Sequence, residues 1–358
     1  MKLRYRIIFF IIGLIGIGIL LWRADLPNIN WSIVFSLDSL LLLIVLCVLW
    51  IFIYVVHTIC YKIILKEESK KVPFFSMLKI VASGFALNNV TPAGLVGGEP
   101  YRIMELKRFC STEKATSSTL SFTLVYTFGH ILLWITSSII FLVKLCLGLK
   151  VSLWISIFIL SSGGVLLGLF ILFVVCRKNG FAYPMMKFLC KIPLIKKKLI
   201  PVVEKNKNSY IEIDNNIREF RNTPLRFIVC LSMQFFTRLL EALEYFLLFF
   251  FFARNFGYTP HFHEGILIIG VASLIGNILF IIPMQASTRE GGMVIALSFL
   301  LASETAIKEV SVGIGLLFRI REFLFIVVGI IMVLISKRKK EDKQIEKQDK
   351  DGEASETP

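Results

Sequence analysis

The chain has 358 residues, 56% of them hydrophobic, with 32 phenylalanines and a mean hydropathy of +0.75. A water-soluble core needs far less apolar surface, so an ordinary soluble domain is excluded and the surroundings are lipid. The formal charge of +15 does not make nucleic acid a partner, because its bases sit beside apolar runs, as in the cytoplasmic loops of membrane proteins.

The amino end, "MKLRYRIIFFIIGLIGIGILLW", has the basic start and apolar run of a signal peptide. No small-residue cleavage site follows before "RADLPNIN", which predicts an uncleaved first span at Ile7–Trp22. Further apolar runs lie at Ser39–Tyr61, Ala115–Val143, Val151–Cys176, Phe227–Ala253, Gly265–Ile282, Gly291–Ser303 and Val310–Ile335. About 20 helical residues cross the hydrocarbon, so most of these runs qualify and the 13 residues of Gly291–Ser303 fall short. The expected fold is all-α: a polytopic membrane protein with about eight membrane segments plus re-entrant or broken helices.

Between the second and third runs, "NNVTPAGLVGGEPYR" (Asn88–Arg102) breaks the pattern with two prolines and Gly94, Gly97 and Gly98. Bases flank this segment on both sides, Lys62, Lys66, Lys70 and Lys71 before it and Arg102, Lys107 and Arg108 after it. It therefore reads as a hairpin dipping into the membrane from the inside, where protein or a wet cavity must surround its backbone. From Arg177 to Arg226 there are twelve Lys/Arg against four Asp/Glu, a cytoplasmic loop by the positive-inside rule. The expected organisation is one membrane domain, 1–336, with halves 1–176 and 225–336 joined by the basic loop 177–224. A charged, disordered tail, 337–358, follows, and both termini are cytoplasmic. In the second half, Gly265–Ile282 and Gly291–Ser303 are joined by "PMQASTREGG". Two crossings and a hairpin entering from outside both fit the charge pattern.

The two interruptions share a spacing. Pro92 precedes Glu99 by seven residues, and Pro283 precedes Glu290 by seven. Asn88 and Asn89 lie upstream of the first proline and Asn277 upstream of the second, and each glutamate touches paired glycines. Gly/Pro-broken segments in corresponding positions of two halves point to the binding site of an inverted-repeat transporter.

Together, "NNVTPAGLVGGEPYR", "PMQASTREGG" and the late "RIREF" resemble the flippase-like membrane family that includes the transmembrane domain of lysylphosphatidylglycerol synthase. The resemblance covers nearly the whole chain before the tail. It carries Asn88, Pro92, Gly98, Glu99 and Arg102 over for the first motif, and Pro283, Arg289, Glu290 and Gly291 for the second. The chain departs at Met284–Ser287, where relatives often have glycines. The resemblance implies a plasma-membrane protein, in bacteria the inner membrane, that moves an anionic or aminoacylated phospholipid between leaflets. Its partners would be a membrane phospholipid or lipid-linked headgroup and a lipid synthase, with room for a homo-oligomer. Rival readings are a membrane-embedded lipid or polyprenyl-phosphate transferase and a non-transporting scaffold for a lipid synthase. Neither a catalytic residue nor a cofactor is expected.

Ionisable groups inside a membrane face a partner or a wet cavity. The candidates are Glu99, Arg102, Arg238, Glu241, Glu244, Arg289, Glu290, Arg319, Arg321 and Glu322. Arg238 with Glu241, and Arg319 with Glu322, are spaced to share a helix face. Both remain open to two readings, a buried ion pair locking helices or an arginine-lined path for phosphate. Substrate contact is assigned to Asn88, Asn89, Pro92, Gly98, Glu99, Arg102, Arg238, Glu241, Asn277, Pro283, Arg289, Glu290, Arg319 and Glu322. His57 and His130 read as hydrogen-bonded packing residues. His261 and His263 beside Glu264 are too thin a set for a metal, and the seven cysteines, with no CxxC pair, are assigned to packing.

Overall fold

In a computed structural model, the described residues are 36–90, 98–149, 151–175, 204, 207–278 and 288–353, and every regular element among them is helical. The expected first span Ile7–Trp22, most of the basic loop, and both motif prolines, Pro92 and Pro283, lie outside the described residues. In chain order the helices are α1 (Leu37–Leu65), α2 (Phe74–Val90), α3 (Gly98–Leu106), α4 (Thr112–Cys146) and α5 (Leu153–Val175). They continue with α6 (Lys207–Asn222), α7 (Pro224–Ala253), α8 (Phe262–Ile278), α9 (Thr288–Ser298) and α10 (Glu304–Glu353).

Local chemistry sets several of these ends. Ser36 caps α1 by accepting Ser39 N at 3.2 Å, and Ser111 caps α4 by accepting Lys114 N at 3.2 Å. Pro224 opens α7, where its missing N–H costs nothing. Among the described residues, two helices are long and apolar enough to cross a membrane, Leu37–Lys71 and Thr112–Cys146, with 35 residues each. Phe74–Val90, Leu153–Gly168 and Phe262–Asn277 are shorter apolar helices. The 30 residues of α7 carry Arg238, Glu241 and Glu244 at mid-length, and Arg238 and Glu244 are buried in the protein. On the outer side of α1, Leu37, Leu40, Leu41, Ile44, Val45 and Val48 are exposed, a contiguous apolar face suited to lipid rather than water.

Two apolar clusters hold the helices together. One joins Phe141, Leu248, Phe249, Leu267, Ile268, Ala296 and Ile314, from α4, α7, α8, α9 and α10. The other joins Tyr61, Met77, Val81, Leu106, Phe122 and Cys230, from α1, α2, α3, α4 and α7. Along α4, Tyr126 and His130 fall between Val125 of the second cluster and Leu133 of the first. Along α7, Arg238 falls between Cys230 and Ala242 in the same way. A polar layer therefore separates the two cores.

Beyond the apolar part of α10, the same helix continues to Glu353. The last part of the basic segment is helical, as α6, whose Ile213 and Ile217 are buried together with Leu120 of α4 packed against them.

Candidate functional site

The polar layer is built from helix spacing. On α7, Arg238 and Glu241 are one turn apart, and Arg238 Nη1 donates to the two carboxylate oxygens at 2.6 and 2.7 Å. The same spacing on α10 brings Arg319 Nη1 to Glu322 Oε2 at 2.6 Å, while Arg319 Nε donates across to Glu290 of α9 at 2.7 Å. Arg321 Nε donates to Glu244 Oε1 at 2.8 Å, and the other oxygen of Glu244 accepts Trp50 Nε1 at 2.8 Å. That last group ties α1, α7 and α10 together, and Glu244, at its centre, is 0% exposed.

Trp50, Arg238, Glu241, Glu244, Arg321 and Glu322 help to enclose a polar cavity of about 90 Å³. Its walls come from α1, α2, α4, α7, α8, α9 and α10, and include His57, Asn89, His130, Arg238, Glu241, Arg289, Arg321 and Glu322. Aromatic rings lie under its guanidinium groups: Arg238 over Tyr126 at 4.4 Å, Arg321 over Trp50 at 4.1 Å, and Arg289 over Phe318 at 5.3 Å. Stacking of this kind holds the plane of the group and leaves its edge for hydrogen bonds.

The first motif builds a junction beside this cavity. Asn88 Oδ1 accepts Gly98 N at 2.8 Å, capping α3 from the end of α2, and Asn88 Nδ2 donates to Glu99 Oε1 at 3.3 Å. A side chain on Gly98 would collide with the Gly84 carbonyl and with Asn88, so the close approach of α3 to α2 requires glycine there. Arg102, 1% exposed, lies against Gly84 and over Phe85 at 4.5 Å, with Glu99 at 3.5 Å.

Five arginines and five glutamates make up the layer with its junction, yet the pairing is uneven. Arg319 takes both Glu290 and Glu322, while Glu99, Glu241 and Glu244 go to Arg102, Arg238 and Arg321. Arg289 is left facing the cavity with no carboxylate in ion-pair range among the described residues. Buried donor atoms without a partner among the described residues accompany it: Nε of Arg289, Nε and Nη2 of Arg238, and Nε and Nη2 of Arg102. Unsatisfied guanidinium donors at a polar cavity favour an incoming anion.

Of the residues singled out by sequence, Asn89, Arg238, Glu241, Arg289 and Glu322 line the cavity, and Glu290 and Arg319 pair beside it. Asn88, Gly98, Glu99 and Arg102 form the α2–α3 junction. Asn277 takes another course: its amide donates to the Ser273 carbonyl one turn back, at 2.7 Å. Sequence reasoning passed over Tyr126 and His130 of α4 and Trp50, Tyr54 and His57 of α1 as site residues. Their signal was spacing, with polar-tipped rings recurring every three or four residues on helices otherwise largely aliphatic.

Among the described residues no group of three or more His, Cys, Asp or Glu side chains is placed to hold a metal ion. Neither the curated proteins nor the solved structures give a significant match to the chain. A family model described as the lysylphosphatidylglycerol synthase TM region matches residues 7–329. That description names a membrane region rather than a catalytic part, and carries no enzymatic assignment. Because the match spans nearly the whole sequence, the chain belongs to the lysylphosphatidylglycerol synthase TM region family.

Proposed function

We propose that this membrane protein binds the phosphate-bearing head of an anionic or aminoacylated phospholipid in the charged cavity, and serves a lipid synthase as its membrane-embedded partner. The observation that carries the reading is Arg289, a guanidinium facing a polar cavity with no carboxylate partner among the described residues. A phosphate supplies the missing charge, and arginine binds it through parallel N–H donors. Glu99 Oε2 and Glu290 Oε2, buried and without hydrogen-bond partners among the described residues, suit a hydroxyl or ammonium group on the same head. The test is thermal stabilisation of the purified full chain by short-chain phospholipids of different headgroups. Stabilisation by phosphate-headed anionic lipids, lost in Arg289→Ala, is expected. No stabilisation by any of them would end this reading.

Movement of that lipid between leaflets is the second reading. It draws on the prolines and glycines of the sequence between Val90 and Gly98 and on Pro283 between Ile278 and Thr288, segments outside the described residues that are expected to be breaks. In each case the two helices flanking the break pack on one another. In this reading the breaks are re-entrant elements of an inverted repeat within about eight membrane segments, with residues 177–224 and both termini cytoplasmic. Exchange of labelled lipid in liposomes, with cysteine labelling of position 197 from each side, tests both parts. A binding-competent chain that exchanges no lipid would leave the synthase-partner reading alone.

A further inference from the structure

Arg238 has five N–H groups, and the two on Nη1 are both engaged. Nη1 lies 2.6 and 2.7 Å from the Glu241 oxygens and 3.0 Å from His130 Nε2. A guanidinium only donates, so His130 Nε2 carries no proton and accepts. The ring hydrogen then sits on Nδ1, which donates to the Tyr126 carbonyl one turn back on α4, at 3.3 Å. His130 is thereby neutral and in a single tautomer. Its ring stands edge-on to Tyr126, with centroids 4.9 Å apart. What remains of Arg238 is Nε and Nη2, both buried and without a partner among the described residues. Those two nitrogens form the fork that grips an oxyanion bidentately.

We infer that His130 is a positioning residue of the headgroup site: it holds the Arg238 guanidinium so that the Nε–Nη2 edge faces the phosphate. This rests on the headgroup-binding reading above. Glu241 alone would pin the group at one corner, and the second bond at Nη1 stops it turning about that corner. Protonation of His130 would set one N–H against another and add a cation beside Arg238. The charged and titratable groups around the ring are Arg238 and Glu241 from α7, Arg289 from α9 and His57 from α1. Arg321 and Glu322 from α10 and Tyr126 from α4 line the same cavity. The carboxylates of the cavity are already committed, Glu241 to Arg238, Glu244 to Arg321 and Glu322 to Arg319, so none is free to neutralise an imidazolium.

The experiment measures binding of dioctanoyl phosphatidylglycerol to the purified full chain by calorimetry near neutral pH. The same titration with glycerophosphoglycerol, the identical head without acyl chains, separates a lipid from a soluble phosphodiester as the ligand. His130→Leu, which has no acceptor, should bind about tenfold more weakly, the worth of one charge-assisted hydrogen bond. His130→Gln, which keeps an acceptor oxygen for Arg238, should restore parental affinity. If the leucine variant fails to fold, the glutamine variant decides alone. Parental affinity in His130→Leu, or about a tenfold loss in His130→Gln, would overturn the positioning role while leaving headgroup binding intact. If the parent binds neither ligand, headgroup binding itself falls. His130 dependence with both ligands supports the inference with the phosphodiester as sufficient; dependence with the lipid alone supports it with the lipid as the ligand.

Discussion

Removing Arg321 and removing Arg289 should have very unequal consequences for stability, although the two side chains face one cavity. Arg321→Met deletes the hydrogen bond from Nε to Glu244 at 2.8 Å and the second contact from Nη2 at 2.6 Å. Glu244 is 0% exposed and would keep only the Trp50 indole N–H. Breaking a buried pair by removing one partner costs about 3–5 kcal/mol, because the charge left behind stays buried. Loss of the guanidinium stacked over Trp50 at 4.1 Å and Phe318 at 4.4 Å adds roughly 1 kcal/mol. Arg289→Met deprives no carboxylate of its partner. It gives up a guanidinium over Phe318 at 5.3 Å, worth about 0.5–1 kcal/mol, from a residue that is only half-buried. At roughly 2 °C per kcal/mol for a chain of this size, Arg321→Met should melt about 8–12 °C below the parent, and Arg289→Met within about 2 °C of it. Thermal unfolding of both variants in the same detergent, without added lipid, makes the comparison. Equal destabilisation by the two would refute the reasoning, since Arg289 would then have a structural counter-charge. A parental melt for Arg321→Met would show that the Trp50–Glu244–Arg321 group does not behave as a buried ion pair.

Asn88→Ala should cost about 1 kcal/mol through loss of the Gly98 cap, whereas Asn88→Asp keeps the acceptor but sets a second carboxylate against Glu99. Melting of Asn88→Asp should therefore recover when Glu99→Gln is added, and absence of coupling in that double-mutant cycle would contradict the junction geometry. Gly98→Ala should destabilise by about 1–3 kcal/mol, since the new methyl meets the Gly84 carbonyl as well as the movable Asn88 side chain. A parental melt would show that α2 and α3 are not packed so closely. Cys60 Sγ and Cys230 Sγ each approach the other's carbonyl oxygen, at 3.8 and 3.9 Å, and both residues are fully buried. In a chain cleaved between residues 177 and 206 and lacking the other five cysteines, a membrane-permeant oxidant should keep the two fragments together on a non-reducing gel. Separate fragments would place α1 and α7 too far apart for the packing described.

The helices were legible in the sequence because lipid demands long apolar runs, and every expected run within the described residues is covered at least in part by helix. Proline and clustered glycine mark an expected interruption within Asn88–Arg102, whose middle lies outside the described residues. Pairs within one helix turn, Arg238/Glu241 and Arg319/Glu322, followed from spacing alone. Partners that meet across helices did not. Nothing local shows that Glu290 goes to Arg319 of α10 while its neighbour Arg289 has no carboxylate partner among the described residues, or that Glu244 joins Trp50 to Arg321. An amide such as Asn277 in an apolar helix has a backbone carbonyl within reach one turn away, and here it donates to it. The contact of His130 with Arg238 was equally illegible, since the guanidinium is contributed 108 residues later.

The indole of Trp50 lies flat beneath Arg321, and its N–H is held by Glu244, at the cavity wall. Trp134, one turn along α4 from His130, donates to Ser273 of the same wall at 2.9 Å. Indole emission responds to nearby charge, so the protein carries its own fluorophores within the polar layer. An anion entering beside Arg289 would alter the field at these rings, and single-tryptophan versions of the chain would then report occupancy optically, with no label attached.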